Sequence, residues 1–347
     1  MTDLGTARVG PATAPLAVPL GDPAGVGPEI IGKSWAVRGV RRLPPFMAVG
    51  DRRAIARVWD GPIATVADAA EALAVFDRAL PVLPAREAGE IVPGMPDVAG
   101  AHAAFDALEV ATRAVLTGEA RALVTGPVSK AQLYGVGFDW PGQTEFVAER
   151  CGVAEEDAVM MLAGPSLRVV PITTHVPLAE VSRLLTVDLI LARARVTAAG
   201  LRTGFGIKGP RLAFAGLNPH AGEGGAIGRE EIEVMAPAIA QLRAEGIEAT
   251  GPFAADTLFH ARARSAYDVV LCPYHDQALV PIKTLHFDEG VNVTLGLPIV
   301  RTSPDHGTAF GLAGRDTAHP GAMIAAIAMA GQIADRRFPA GVAAVAA

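Results

Sequence analysis

Three histidines, His175, His220 and His275, each follow a short apolar run: Leu167 to Thr174, Arg211 to Pro219 and Asp268 to Tyr274. Runs this short and β-branched, bounded by proline, glycine or asparagine, read as buried strands. Ligands of open α/β sheets gather beyond the carboxyl ends of the strands, so the three imidazoles are expected to meet at one edge. Neutral imidazole is the commonest side-chain metal ligand, and three protein ligands with a free position mark a catalytic metal rather than a structural one. The chemistry to expect is therefore metal-assisted catalysis. Spacings of 45 and 55 residues exceed those of any zinc finger or ribbon, which leaves the fold to assemble the site. Any one of these histidines alone would read as a hydrogen-bonded loop residue; the shared placement argues otherwise. His102, His260, His286 and His319 lack that setting, and His306 lies in a glycine-flanked loop.

Such a site needs a sheet. Strand-like runs at 15–20, 46–50, 122–125, 159–163, 167–173, 211–217 and 269–273 alternate with helical stretches starting at Pro28 and spanning 52–59, 101–119, 187–201, 229–245 and 321–337. This alternation predicts an α/β fold with mostly parallel sheets. At 347 residues two lobes are expected. Gly135, Gly137, Pro141 and Gly142 interrupt the pattern and place a hinge there. The expected lobes are 1–134 with 308–347, the last helix returning to the first lobe, and 135–307, the second carrying the metal ligands and dimer contacts, with a catalytic cleft between them.

Composition excludes several classes. A formal charge of −6 with no basic tract argues against a nucleic-acid surface. Although 50% of residues are hydrophobic, no uninterrupted apolar stretch reaches the ~20 residues of a membrane span. Residues 1–15 lack the pattern of a secretory signal and read as a frayed terminus. Cys151 and Cys272 have no partner at metal spacing, so free thiols in a reducing cytoplasm are expected.

Two motif matches carry little weight. Gly27 to Ser34 satisfies GxxxxGK[ST], yet Pro28 and Glu29 favour a first helical turn and Pro28 has no donor for a phosphate. A helix from Pro28 is expected, not a kinase's phosphate loop. Gly204 to Gly209 matches GxGxxG but follows a helix and runs into Pro210, so it reads as a turn.

The densest polar segments come later. Asn218-Pro-His-Ala-Gly222-Glu-Gly224-Gly leads into Gly228-Arg-Glu-Glu, and glycine-rich turns of this kind, like 302–309, allow close backbone approach to a cofactor. Asn218, Gly222, Gly224, Asp305 and His306 are the cofactor candidates. Lys283, Asn292 and Arg301 together suit a phosphate, arginine supplying a planar fork and lysine a point charge.

The set Gly21-Asp-Pro-Ala-Gly-Val-Gly-Pro-Glu29, Thr125-Gly-Pro-Val-Ser-Lys130, Gly142-Gln-Thr-Glu145, Thr174-His-Val-Pro177, the Asn218 turn, Ala255-Asp-Thr257, Tyr274 to Gln277 and Val291 to Ala309 resembles the PdxA family, the 4-hydroxythreonine-4-phosphate dehydrogenases of pyridoxal phosphate biosynthesis. The resemblance spans nearly the whole chain. It implies a two-lobed fold similar to isocitrate and isopropylmalate dehydrogenases, a homodimer with composite sites, a divalent metal (Zn, Mg, Co or Mn), and NAD or NADP. The implied reaction oxidises the C3 alcohol of 4-phosphooxy-L-threonine and releases carbon dioxide, leaving 3-amino-2-oxopropyl phosphate. His175, His220 and His275 fall on the family's metal ligands. Thr144, Lys283, Asn292 and Arg301 fall on its substrate contacts, with Gln143 beside them. Lys283 and Asp256, the latter by motif only, are the catalytic candidates.

Two positions depart from that pattern: Gln143 replaces a usual histidine, keeping a donor but losing the option of charge, and Gly311 replaces an acidic residue. The nearest alternative is a paralogous dehydrogenase of a phosphorylated sugar acid such as 4-phospho-threonate or erythronate. A P-loop kinase and a non-catalytic metal-binding regulator are the remaining readings.

Overall fold

The computed structural model describes residues 13–339; most of the terminus expected to fray, 1–15, lies outside them. Among the described residues there are twelve strands, β1 (Leu16–Pro19), β2 (Phe46–Gly50), β3 (Ile63–Thr65), β4 (Leu80–Pro84), β5 (Leu123–Val124), β6 (Val159–Ala163), β7 (Arg168–Pro171), β8 (Arg211–Ala215), β9 (Glu248–Phe253), β10 (Val269–Cys272), β11 (Val291–Leu295) and β12 (Arg301–Pro304). The chain divides into two compact units, Met1–Glu155 with Leu297–Ala347, and Glu156–Gly296. The breaks thus fall near 155 and 297, whereas the expected bounds were 134 and 307.

In the first unit the strand order is β3-β4-β2-β1-β5-β12, every pair parallel. Purely parallel strands are covered on both faces and read as continuous apolar runs. Accordingly, β1 and β2 are buried at every position. The Gly321–Arg337 helix packs on β12 and β5, so the last helix does return to the first unit. Residues 135–155 are pinned here by an aromatic cluster. Phe105 of the Val98–Leu116 helix meets Phe138 at 5.4 Å and Phe146 at 5.7 Å, while Trp140 meets Phe146 at 5.0 Å. Aromatic burial of this kind outweighs the local glycines as a determinant of the boundary.

In the second unit the order is β11-β6-β7-β10-β8-β9. β6 is antiparallel to both its neighbours, and β7, β10, β8 and β9 run parallel. Leu162, Val169, Ala213 and Val270 of the sheet enclose Ala278, Leu279 and Ile282 of the His275–His286 helix. Those helical positions form one apolar stripe, and burying a side chain the size of Ile282 contributes about 2 kcal/mol. The sheet therefore fixes where that helix begins, and its first residue is His275.

Candidate active site

β7, β10 and β8 are adjacent and parallel, so their carboxyl ends share an edge of the second unit. His175, His275 and His220 follow those ends in turn. Two of them meet: the His175 and His275 rings lie 5.6 Å apart, centroid to centroid, beside a pocket of about 210 Å³ lined also by Thr173, Val181 and Tyr274. Their approach is set by the strands. Thr173, two residues before His175, donates its backbone N–H (3.2 Å) and hydroxyl (2.7 Å) to the carbonyl of Pro273, two residues before His275. His175 itself has φ 51, a left-handed conformation that turns the chain sharply at the strand end.

His220 stands on its own turn, Pro219–Gly225. Among the described residues, no group of three or more His, Cys, Asp or Glu side chains is arranged to hold a metal ion. The donor chemistry nonetheless suits one. Nδ1 of His220 lies 2.8 Å from Glu223 Oε2, and Nδ1 of His275 lies 2.8 Å from Asp276 Oδ1. A carboxylate only accepts, so each Nδ1 donates, and Nε2 is the nitrogen turned away from the carboxylate. A carboxylate orienting a histidine through its far nitrogen is the usual outer support of metal-binding imidazoles.

The His220 turn is conformationally costly. His220, Ala221 and Glu223 have φ between 46 and 53, alternating with Gly222 and Gly224 at φ 81 and 65. Each left-handed non-glycine residue costs on the order of 1 kcal/mol. Side chains around the turn hold it. Glu231, buried to 3% exposure, accepts the backbone N–H of Asn218 at 2.7 Å and its side-chain amide at 3.0 Å. Glu230 accepts the same amide at 2.7 Å and the Ser182 hydroxyl at 2.5 Å. The Ser182 bond comes first among the causes that hold the Glu230 carboxyl below its ordinary range. Glu231 opens a π-helical segment, Glu231–Met235, with Glu230 at its N-cap, where the sequence had suggested plain α-helix from Arg229. Gln277, on the His275 helix, donates to the Gly216 carbonyl at 2.9 Å and ties the base of this turn to that helix.

In the first unit two of the residues expected at the substrate, Arg301 and Thr144, meet. Arg301 is 3% exposed, and its guanidinium donates to Thr144 Oγ1 at 3.1 Å and Thr125 Oγ1 at 2.8 Å. Burial pulls Arg301 down to about 10, opposed by the charge of Glu145. A cation so desolvated gains from an anion brought against it. Thr144 and Gln143 open the Gln143–Arg150 helix, which begins directly after the segment expected to be the hinge. Gln143 donates to the Gly126 carbonyl at 3.1 Å, and its Oε1 is buried with no partner.

The remaining candidates scatter. Lys283 is half-buried on the His275 helix, eight residues on and so about 12 Å along its axis from His275. Asn292, half-buried in β11, has an unpartnered buried Oδ1. Asp256 is exposed on a short turn, Ala255–Thr257, packed against the His220 turn. Of the cofactor candidates, Asn218, Gly222 and Gly224 lie in the second unit. Both Asn218 amide protons are taken by the two glutamates and Gly222 is packed against Glu231, whereas Gly224 has open space where a Cβ would stand. Asp305 and His306 follow β12 in the first unit, where His306 is exposed and its Nδ1 bonds the Gly307 carbonyl.

The GxxxxGK[ST] match is a structural clasp. A helix runs through it, Gly27–Ala36, and Gly27 is required because a Cβ there would stand 2.0 Å from the Leu20 carbonyl oxygen. Lys33 bonds Glu29, which is fully buried, at 2.8 Å, Asp316 at 2.9 Å and the Ala318 carbonyl at 3.1 Å; Glu29 also accepts the Ala318 N–H. Lys33→Ala strands a buried carboxylate and should cost about 3 kcal/mol. Chemical denaturation should show that loss with turnover unchanged, whereas selective loss of catalysis at wild-type stability would reinstate a phosphate-binding role.

A dehydrogenase is the class to which this α/β fold and its strand-end imidazoles belong, and sequence and structure comparisons agree. The family model of the pyridoxal phosphate biosynthetic protein PdxA matches residues 43–330. A 4-hydroxythreonine-4-phosphate dehydrogenase of Zymomonas mobilis is 59% identical over 93% of this chain and 96% of its own, and one of Erythrobacter litoralis is 55% identical over 96% and 100%. The crystal structure of the Klebsiella pneumoniae 4-hydroxythreonine-4-phosphate dehydrogenase superposes with a TM-score of 0.82 at 37% identity, covering 92% of this chain and 98% of that one. The chain belongs to the PdxA family.

Proposed function

We propose that this chain oxidises the C3 alcohol of 4-phosphooxy-L-threonine with NAD or NADP and releases the carboxyl group as carbon dioxide, yielding 3-amino-2-oxopropyl phosphate for pyridoxal phosphate synthesis. The observation that carries this reading is the pairing of His175 with His275 at the ends of adjacent parallel strands. His175, His220 and His275 would hold a divalent cation, zinc, magnesium, cobalt or manganese. Bound there, it would polarise the alcohol for oxidation and the ketone for decarboxylation, while the nicotinamide receives the hydride.

The protein's own part is orientation and proton handling. Lys283, Asn292 and Arg301 are assigned to the substrate and its phosphate, with Thr144 and Gln143 beside them. Lys283 and Asp256 are the charged groups assigned to move the alcohol proton. Asn218, Gly222, Gly224, Asp305 and His306 are assigned to the cofactor. A homodimer with composite sites is supported by the uncovered side of the His275 helix, where Val280 is 63% exposed, and by Phe287 just beyond it at 75%. Such exposed apolar side chains close together mark an association surface. Among the described residues no helix is long and apolar enough to cross a membrane. Free Cys151 and Cys272 suit the reducing cytoplasm we assign to it.

The test follows NADH formation with added divalent cation on 4-phosphooxy-L-threonine, 4-phospho-threonate and 4-phospho-erythronate. Highest kcat/KM on the first substrate is expected. Because Gln143 stands where the family pattern has histidine, preference for a sugar acid would replace this reading by that of the paralogue.

A further inference from the structure

We propose that Glu231 is a positioning residue for His220: its carboxylate holds the left-handed turn that presents the imidazole. This inference rests on the reading of His220 as a metal ligand. The turn places six successive residues, His220 to Gly225, at positive φ, and local sequence preference alone would release it. Glu231 constrains it from two sides. Oε1 accepts the Asn218 N–H and Oε2 the Asn218 side-chain amide, so the residue at which the turn begins is gripped through both main chain and side chain. Oε2 also fills the space over Gly222, where a Cβ would stand 2.7 Å from that oxygen and 2.8 Å from the Gly228 carbonyl. On the other flank a Cβ on Gly216 would stand 3.2 Å from Oε1. One buried carboxylate thus touches the strand end, the start of the turn and its middle.

The π-helical segment explains how Glu231 reaches that place. Its wider turn lets Glu230 and Glu231, adjacent in sequence, both aim at the Asn218 amide, and such insertions recur at functional sites. No bond to His220 is involved; the imidazole is oriented by Glu223, and Glu231 acts only through the backbone that carries it.

Glu231→Gln tests this with little change in volume. Whichever way its amide is turned, an NH2 group faces one of the two Asn218 donors. Gly222→Ala is the second variant: it leaves the Glu231 side chain chemically unchanged but sets a Cβ at φ 81 against its Oε2 and the Gly228 carbonyl, pressing the turn off the carboxylate. Cobalt(II) is titrated into the metal-free full-length protein without substrate, following the ligand-field spectrum, alongside melting temperature and His220→Ala. Both variants are expected to weaken cobalt binding roughly 10- to 100-fold with an altered spectrum, as loss of outer support for a ligand does. Wild-type affinity in both, even with a lowered melting temperature, beside loss in His220→Ala, overturns the positioning role and leaves the metal reading intact. Wild-type cobalt affinity in His220→Ala overturns the metal reading and this inference with it.

Discussion

His275→Ala should abolish tight divalent-metal binding and lower kcat/KM by about 1000-fold or more while leaving the protein folded. The magnitude follows from what a cation contributes: several kcal/mol of charge stabilisation at the reacting oxygen, each 1.36 kcal/mol being tenfold in rate. Retention of the fold follows from where His275 sits. It is the first residue of its helix, its side chain is 33% exposed, and the helix is held by Ala278, Leu279 and Ile282 in the core and by the Gln277 bond to Gly216. Removing an imidazole at that position deletes none of those core contacts; it leaves the exposed Asp276 carboxylate without its partner and the His175 ring without its neighbour. Cobalt titration, turnover and thermal denaturation of the same preparation separate the cases. Undiminished turnover in this variant would remove metal assistance from the mechanism, and a collapsed melting temperature would show that the ring is structural.

Much of this arrangement was readable from residue order, because strand ends are marked locally. Apolar runs closed by proline identified β7, β8 and β10, and a histidine a few residues beyond each needs only parallel pairing to reach a common edge. Pro28 likewise announced the helix that disqualifies the phosphate-loop match. What escaped depends on contacts between distant segments. The His275–His286 helix contains Pro281, which breaks the local pattern; the apolar seat under Ala278 and Ile282 supports it all the same. The Gln143–Arg150 helix hides behind glycines and a proline, and is held by Phe105, more than thirty residues earlier. Glu231 is one of several glutamates at a helix start. Nothing in the local sequence says that it is buried, since its burial follows from the path of the Asn218 turn.

Arg301→Met should have opposite effects on stability and function. The guanidinium is buried and pulled down to about 10, and the bonds it donates to Thr144 and Thr125 are to neutral hydroxyls. Replacing a desolvated charge by an apolar chain of similar length is often neutral or stabilising, provided no opposite buried charge is left behind. Glu145, whose charge opposes the downward shift, is itself half-exposed and keeps water as a partner. The melting temperature of Arg301→Met is therefore expected at or above that of the wild type. Binding should move the other way. A charge-assisted hydrogen bond contributes about 1.5–3 kcal/mol, so losing the fork should raise KM for the phosphorylated substrate on the order of 100-fold, with a smaller change in kcat. Arg301→Lys restores the charge without the planar fork and should recover only part of that loss. A KM unchanged in both variants would exclude Arg301 from the phosphate and make it a structural residue. A melting temperature well below wild type in Arg301→Met would show instead that its hydroxyl contacts outweigh the cost of burying its charge.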